Sequence, residues 1–220
     1  MNKKLLFCLA VQPLLICFIL LFGGYAFVEP SDVDATSTST LVVASLTVGA
    51  EISLTPPDAI TLSPNITMSN SSSSATGTWN VKTSAAAGYT LSLHASQEDA
   101  LVATTTGEVF QDCPTSTPDF WNQGCATSTG YVFGFSAYGN AVPTATWGTG
   151  GDCGSSGNPS ETLEYRGFNS TNDIQIAVEG AGTGAGGTDS TMCLTATQGS
   201  SVYAPDGLYQ ATITGTATTQ

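Results

Sequence analysis

The sequence predicts an all-β protein: a single antiparallel β-sandwich with Greek-key, immunoglobulin-like connections, preceded by an N-terminal apolar helix. Three observations carry this. Short runs alternate apolar and polar residues with a period of two, as in Trp79-Asn80-Val81-Lys82 and Tyr89-Thr90-Leu91-Ser92-Leu93-His94, which places the large apolar side chains of a strand on one face. Gly, Pro, Asn and Ser punctuate these runs at short intervals, giving roughly nine to eleven strands. No amphipathic helical spacing and no repeat period occur after the first apolar run. A mature chain of about 190 residues remains once the leader is removed, enough for one domain with a closed core.

The chain opens with Lys3 and Lys4, then an apolar run over residues 5–22, then Gly23 and Gly24. This is the layout of a secretory signal peptide, with Gly24-Tyr25-Ala26 or Val33-Asp34-Ala35 as the cleavage site. The run borders on the length of a membrane span. Pro13 inside it suits a cleaved signal better than a retained anchor. Residues 1–26 are therefore predicted as signal peptide or N-terminal anchor, 27–40 as a polar linker and 41–220 as the sandwich.

Within that domain, residues 41–54 read as a long first strand with Gly49 as a bulge, and Ile60 and Leu62 as a short strand stopped by Pro64. The serine run at 70–74 reads as a loop. The Trp79 and Tyr89 strands follow as a hairpin. Residues 101–118 are Thr-rich and carry Cys113; Phe120 and Trp121 sit just before Cys125. The aromatic strand 131–138 is followed by a long Gly-rich loop, 139–160, holding Trp147 and Cys153. A loop of that length inside a domain is usually functional or disordered, and its Cys argues for a tether. Strands at 163–168 and 174–178 flank a turn at 169–173. A Gly-rich turn spans 180–187, and two strands, 192–197 and 208–218, flank the turn Pro205-Asp206-Gly207. The predicted core is Val43, Leu46, Val48, Ile52, Trp79, Val81, Tyr89, Leu91, Leu93, Tyr131, Phe133, Phe135, Ile174, Ile176, Val178, Leu194, Tyr209 and Ile213.

Charge and cysteine usage bound the function. The whole chain carries a net charge of −13, with four Lys or Arg against seventeen acids. Beyond the signal only Lys82 and Arg166 oppose those acids. Such a surface repels nucleic acid and gives anionic headgroups no attraction, so the membrane is reached only through the N-terminal segment if that is uncleaved. The acids form no run, and solubility outside the cell accounts for them. Cys8 and Cys17 lie in the signal. Cys113, Cys125, Cys153 and Cys193 permit three pairings, and spacing favours Cys113–Cys125 with Cys153–Cys193. Disulfides in turn favour a secreted or cell-surface setting. Zinc is the alternative, without a Cys-x-x-Cys pair and with His94 as the lone histidine.

Catalytic groups are poorly represented. Asp152 to Gly157 faintly has the look of a serine nucleophile loop but lacks a strand-to-helix setting and a base near it. Glu161 and Glu164 are a closely spaced carboxylate pair, yet at i, i+3 on a strand they point to opposite faces. Asp32 and Asp34 lack the further oxygen ligands of a calcium loop. The single Gly186-Gly187-Thr188-Asp189 lacks both the repetition of a calcium nonapeptide and the Lys of a phosphate loop. No cofactor is implied. The sequons at Asn65, Asn70 and Asn169 are glycosylation acceptors only in a source that glycosylates. Trp79, Phe120, Trp121 and Trp147 are the candidate ligand contacts, aromatics being the side chains best suited to stacking on a sugar or protein partner. For each the alternative is burial in the core or as a cap of the sandwich.

Gly77-Thr78-Trp79-Asn80-Val81 followed by Gly88-Tyr89-Thr90-Leu91 resembles the Trp-x-Leu region of the WxL surface domains of Gram-positive bacteria. Residues 207–214, GLYQATIT, resemble the closing strand of those domains. Val81 stands where the motif has Leu, and Gly215 where a second Trp is usual. The resemblance implies a secreted β-rich domain that attaches non-covalently to the cell wall. The general pattern also resembles immunoglobulin-like pilus and coat subunits. The expected function is thus a non-catalytic secreted or cell-surface protein that binds cell-wall polymer or other envelope proteins. The runner-up is a pilus or coat subunit assembling by strand addition as a homo-oligomer, and a carbohydrate-active enzyme ranks third. The terminal stretch 40–54 discriminates the first two: it pairs in its own sheet or in a neighbour's.

Overall fold

The computed structural model of the chain describes residues 43–114, 116–126, 130–168 and 172–220. The expected signal, the polar linker, Cys8, Cys17 and the Asn169 sequon lie outside them. Residues 47–220 form one compact unit. It is all-β, with twelve strands among the described residues: β1 (Ile52–Thr55), β2 (Ser72–Thr83), β3 (Tyr89–Ala95), β4 (Leu101–Ala103), β5 (Val109–Asp112), β6 (Asp119–Phe120), β7 (Tyr131–Gly139), β8 (Glu164–Tyr165), β9 (Ile174–Glu179), β10 (Thr188–Gln198), β11 (Tyr209–Gln210) and β12 (Ile213–Thr219). A π-helical turn at Trp121–Cys125 and a single helical turn at Thr144–Trp147 interrupt them.

Seven strands make a large sheet in the order β1-β2-β10-β7-β5-β4-β11, three make a smaller one in the order β12-β3-β9, and β6 pairs with β8. The ladders are antiparallel except where β5 runs parallel to β7, Gln111 beside Val132 and Asp112 beside Phe133. The expectation of antiparallel pairing throughout is corrected there. Leaving β5, the chain crosses the face of β7 through the Cys113–Cys125 loop, and this crossover brings two segments of the same direction side by side.

The large sheet is buried on both faces, which is why β7 has six consecutive buried residues where alternation alone predicts every second one. On one face lie the cross-strand rows Ser73–Ala196–Phe133, Ala75–Leu194–Phe135 and Gly77–Met192–Ala137. They share one core with Tyr89, Leu91 and Leu93 of β3 and Ile174, Ile176 and Ala177 of β9. Cys193, Val132 and Tyr138 point to the other face, where Cys113, Trp121, Cys125, Cys153, Leu163 and Tyr165 cover them.

Several expectations about single elements are corrected. Val43, Leu46 and Val48 are 79%, 89% and 76% exposed, and residues 43–51 hold no strand; the first strand is only β1. The serine run belongs to β2: Ser72–Ser74 continue its ladder with Thr195–Thr197, and the small side chains of Ser72 and Ser73 are buried beneath neighbouring chain. Ile60 and Leu62 form no strand, and only Ser63 bridges to Ser74. Val178 is turned outward because Ile176 is an extra residue opposite the Leu91/Ser92 step of β3; the bulge reverses the alternation and puts Ala177 inside. Ile52, Tyr131, Tyr209 and Ile213 pack against the core half-buried.

Candidate functional site

Beside the small sheet, the core-facing side of the large sheet carries a cavity of about 1200 Å³. Its floor is made by Trp79 of β2, Phe133 of β7, Phe110 of β5, Leu101 of β4 and Met192, Leu194 and Ala196 of β10. Strand alternation aims all of them to one side of the sheet. Two irregular segments form the walls, residues 56–68 and 203–213. Pro56 and Pro57 end β1 by removing ladder donors. Gly77 lets the first wall lie close over β2, since a Cβ there would collide with Ile60. Tyr209 anchors the second wall: its ring meets Phe110 edge-on at 5.0 Å, and its hydroxyl donates to the Pro205 carbonyl at 3.0 Å.

Gln198 ties the two walls together. It is buried, its Nε2 donates to the Thr67 carbonyl at 2.8 Å, and its Oε1 accepts from the Ala204 backbone N–H at 3.2 Å. Above the cavity end of β12, Gly215 rests on the Trp79 ring with no room for a Cβ. The Trp79 indole N–H has no acceptor among the described residues. Along the first wall, residues 58–62 make no backbone hydrogen bond among the described residues. The result is a wide apolar trough with open backbone along one side, suited to an extended apolar segment and devoid of charge except at Asp58 and Asp206 on its rim.

The four candidate aromatic contacts do not form one surface. Trp79 is 5% exposed and serves both the core and the cavity floor. Trp147 is fully buried and packs on Phe135, ring centres 5.2 Å apart. Trp121 is buried on the opposite face of the sheet, edge-on to Tyr165 at 5.2 Å. Phe120 is half-buried in β6. Both disulfides pair as the spacing favours, Cys113–Cys125 and Cys153–Cys193. The long loop at 139–160 is ordered by its helical turn and by the second disulfide. Tyr165 beneath it accepts from the Ser160 N–H at 3.0 Å, and burial pushes its hydroxyl up to about 12. His94 pairs with Asp173 at 2.7 Å on the outer side of β3. Glu161 is exposed and Glu164 half-buried. Among the described residues no three His, Cys, Asp or Glu side chains converge as metal ligands would. None has an apolar helix long enough to cross a membrane. The two disulfides fit an extracytoplasmic setting.

The walls of the cavity come from segments with little periodicity, separated by most of the domain, so alternation did not reveal them. The signals that were present are Pro56-Pro57 and Gly77, while the alternation of Ile60 and Leu62 pointed to a short strand that does not form. The chain matches no protein-family model, and no curated protein matches it. The likeness to WxL domains therefore rests on the Trp79 and Tyr209 segments alone.

Proposed function

We propose that the protein is an exported, non-catalytic structural subunit of the cell envelope, a β-sandwich domain that joins neighbouring copies through its N-terminal segment by strand addition. One observation carries this reading. Residues 43–51 lie outside the protein's own sheet, and Val43, Leu46 and Val48 are held out to solvent. Beyond Gly49 and Glu51, whose backbone is bonded to Thr83 and Ser84, a segment with exposed apolar side chains and no strand pairing of its own is a template for pairing with another chain. The disulfides and the apolar leader support export, and the scarcity of catalytic groups supports a structural role. Attachment to wall polymer, implied by the WxL resemblance, finds no exposed aromatic surface at Trp79 to act through.

The test is the solution mass of the chain from Glu29 onward, which keeps the whole compact unit, against the same chain with Leu46→Asp and Val48→Asp. Both positions are solvent-exposed, so the double variant keeps its thermal midpoint. Concentration-dependent association lost in the variant supports the reading. A chain that stays monomeric throughout, and pellets with isolated wall sacculi, would replace it with wall attachment.

A further inference from the structure

We propose that the cavity between the 56–68 and 203–213 segments binds a cationic amphiphile, one molecule with a long apolar chain and an ammonium head. The inference goes beyond the strand-addition reading and stands or falls apart from it. Exposure singles out the cavity. Among the described residues from Glu51 onward, the large apolar side chains left exposed are Met68, Val178, Val202, Tyr203 and Leu208. Met68 on the first wall and Tyr203 and Leu208 on the second all line this one cavity. Exposed apolar groups gathered in one place mark a surface that takes up an apolar partner. With them lies the uncharged floor of Trp79, Phe133 and Leu194. At about 1200 Å³ the space exceeds the roughly 300–1,000 Å³ of an ordinary small-molecule pocket, which leaves room for a long chain.

Charge assigns the head. Asp58 on the first wall and Asp206 on the second are the acidic side chains of the lining, and both are exposed. No basic side chain accompanies them, because Lys82 and Arg166, the cations beyond the leader, lie outside the lining. An anionic head would meet carboxylates alone, and an uncharged head gains nothing from them. An ammonium head is attracted to both. Aromatic rings strengthen the preference. Tyr203 and Tyr209 line the same wall as Asp206. Burial, and after it the charges of Tyr131, Glu108 and Asp206, push the Tyr209 hydroxyl above its ordinary value, so two carboxylates lie near this ring. The face of a phenol ring attracts a cation, more strongly where water is excluded.

Calorimetric titration of the chain from Glu29 onward with hexadecyltrimethylammonium, hexadecyl maltoside and hexadecanoate, each below its micellar concentration, compares three heads on one apolar chain. The expected result is one ammonium molecule per protein, held about tenfold tighter than the maltoside, with hexadecanoate the weakest. Asp58→Asn with Asp206→Asn, both at exposed positions, should bring the ammonium compound to the affinity of the maltoside and leave the maltoside unmoved. Ala211 lines the second wall half-buried, and Ala211→Trp fills the cavity and should abolish binding of all three. Should that variant lower the thermal midpoint, Leu208→Arg at an exposed lining position repeats the test: it should weaken the ammonium compound and admit hexadecanoate. Equal affinity for the three heads, or ammonium binding unchanged in the double Asn variant, overturns the proposal. So does binding of many ammonium molecules per protein that neither Ala211→Trp nor Leu208→Arg alters, which is adsorption to the acidic surface. If no probe binds, a protein occupant is left for the cavity and the proposal falls.

Discussion

Trp79 holds the domain at a single point: it is buried, it floors the cavity, and Gly215 of the small sheet rests on its ring. Trp79→Ala is expected to cost about 3–5 kcal/mol, as an aromatic core truncation does, read from the midpoint of denaturant unfolding. Asp112 makes a second residue-scale prediction. Burial, and behind it the charge of Asp99, pushes its carboxyl from 3.8 up to about 6, against a hydrogen bond accepted from the Ala100 N–H at 3.3 Å. The folded chain therefore holds a proton that the unfolded chain releases. The cost of ionising Asp112 is absent well below pH 4, grows through the window between these values and is complete above pH 6. Asp112→Asn, which keeps an acceptor for Ala100, should raise the melting temperature at pH 7.5, and the gain should vanish near about pH 4. Neither point was wholly legible in the sequence. The alternation around Trp79 placed it in the core, but the approach of Gly215 depends on a strand more than a hundred residues later. The surroundings of Asp112 come from the β4–β5 hairpin, which the Thr-rich stretch did not announce.

At the scale of elements, the period of two located β2, β3, β7, β9, β10 and β12, most clearly β3, whose inward Tyr89, Leu91 and Leu93 are large and whose outward Thr90, Ser92 and His94 are polar. It failed where small residues occupy a buried strand, as at Ser72–Ser74, and where a bulge shifts the phase, as at Ile176. It also misplaced residues 43–51, which hold no strand. The disulfides were legible from spacing, and their weights differ. The sequence separations are 12 for Cys113–Cys125 and 40 for Cys153–Cys193. On loop-closure entropy these correspond to about 3 and about 4 kcal/mol. Replacing Cys153 and Cys193 by Ala should lower the melting temperature more than replacing Cys113 and Cys125. It should also open residues 148–160 to limited proteolysis, since Cys153 anchors them to the central strand β10.

At the scale of the molecule, composition settled the all-β class and the acidity. It did not settle the packing of one sheet between two covers, or the cavity, because the walls are irregular segments joined by Gln198. The acidity bears on association. Two copies of a chain with a net charge of −13 repel, while the proposed contact is apolar. Raising salt from about 20 to about 200 mM should therefore strengthen association, since the Debye length shortens below the separation of most surface charges. Sedimentation velocity at the two concentrations reads this directly, and a contact built on ion pairs would weaken instead. The four-residue ladder of β1 has a mechanical consequence in such a chain of copies. Ile52 lies opposite Thr83 and Thr55 opposite Asn80. Tension arriving from a neighbour through residue 51 pulls along β1, parallel to the strand's own axis. The bonds to β2 are then sheared together and cannot be unzipped one at a time, so the short strand that introduces the domain also sets the force at which a filament of it would yield.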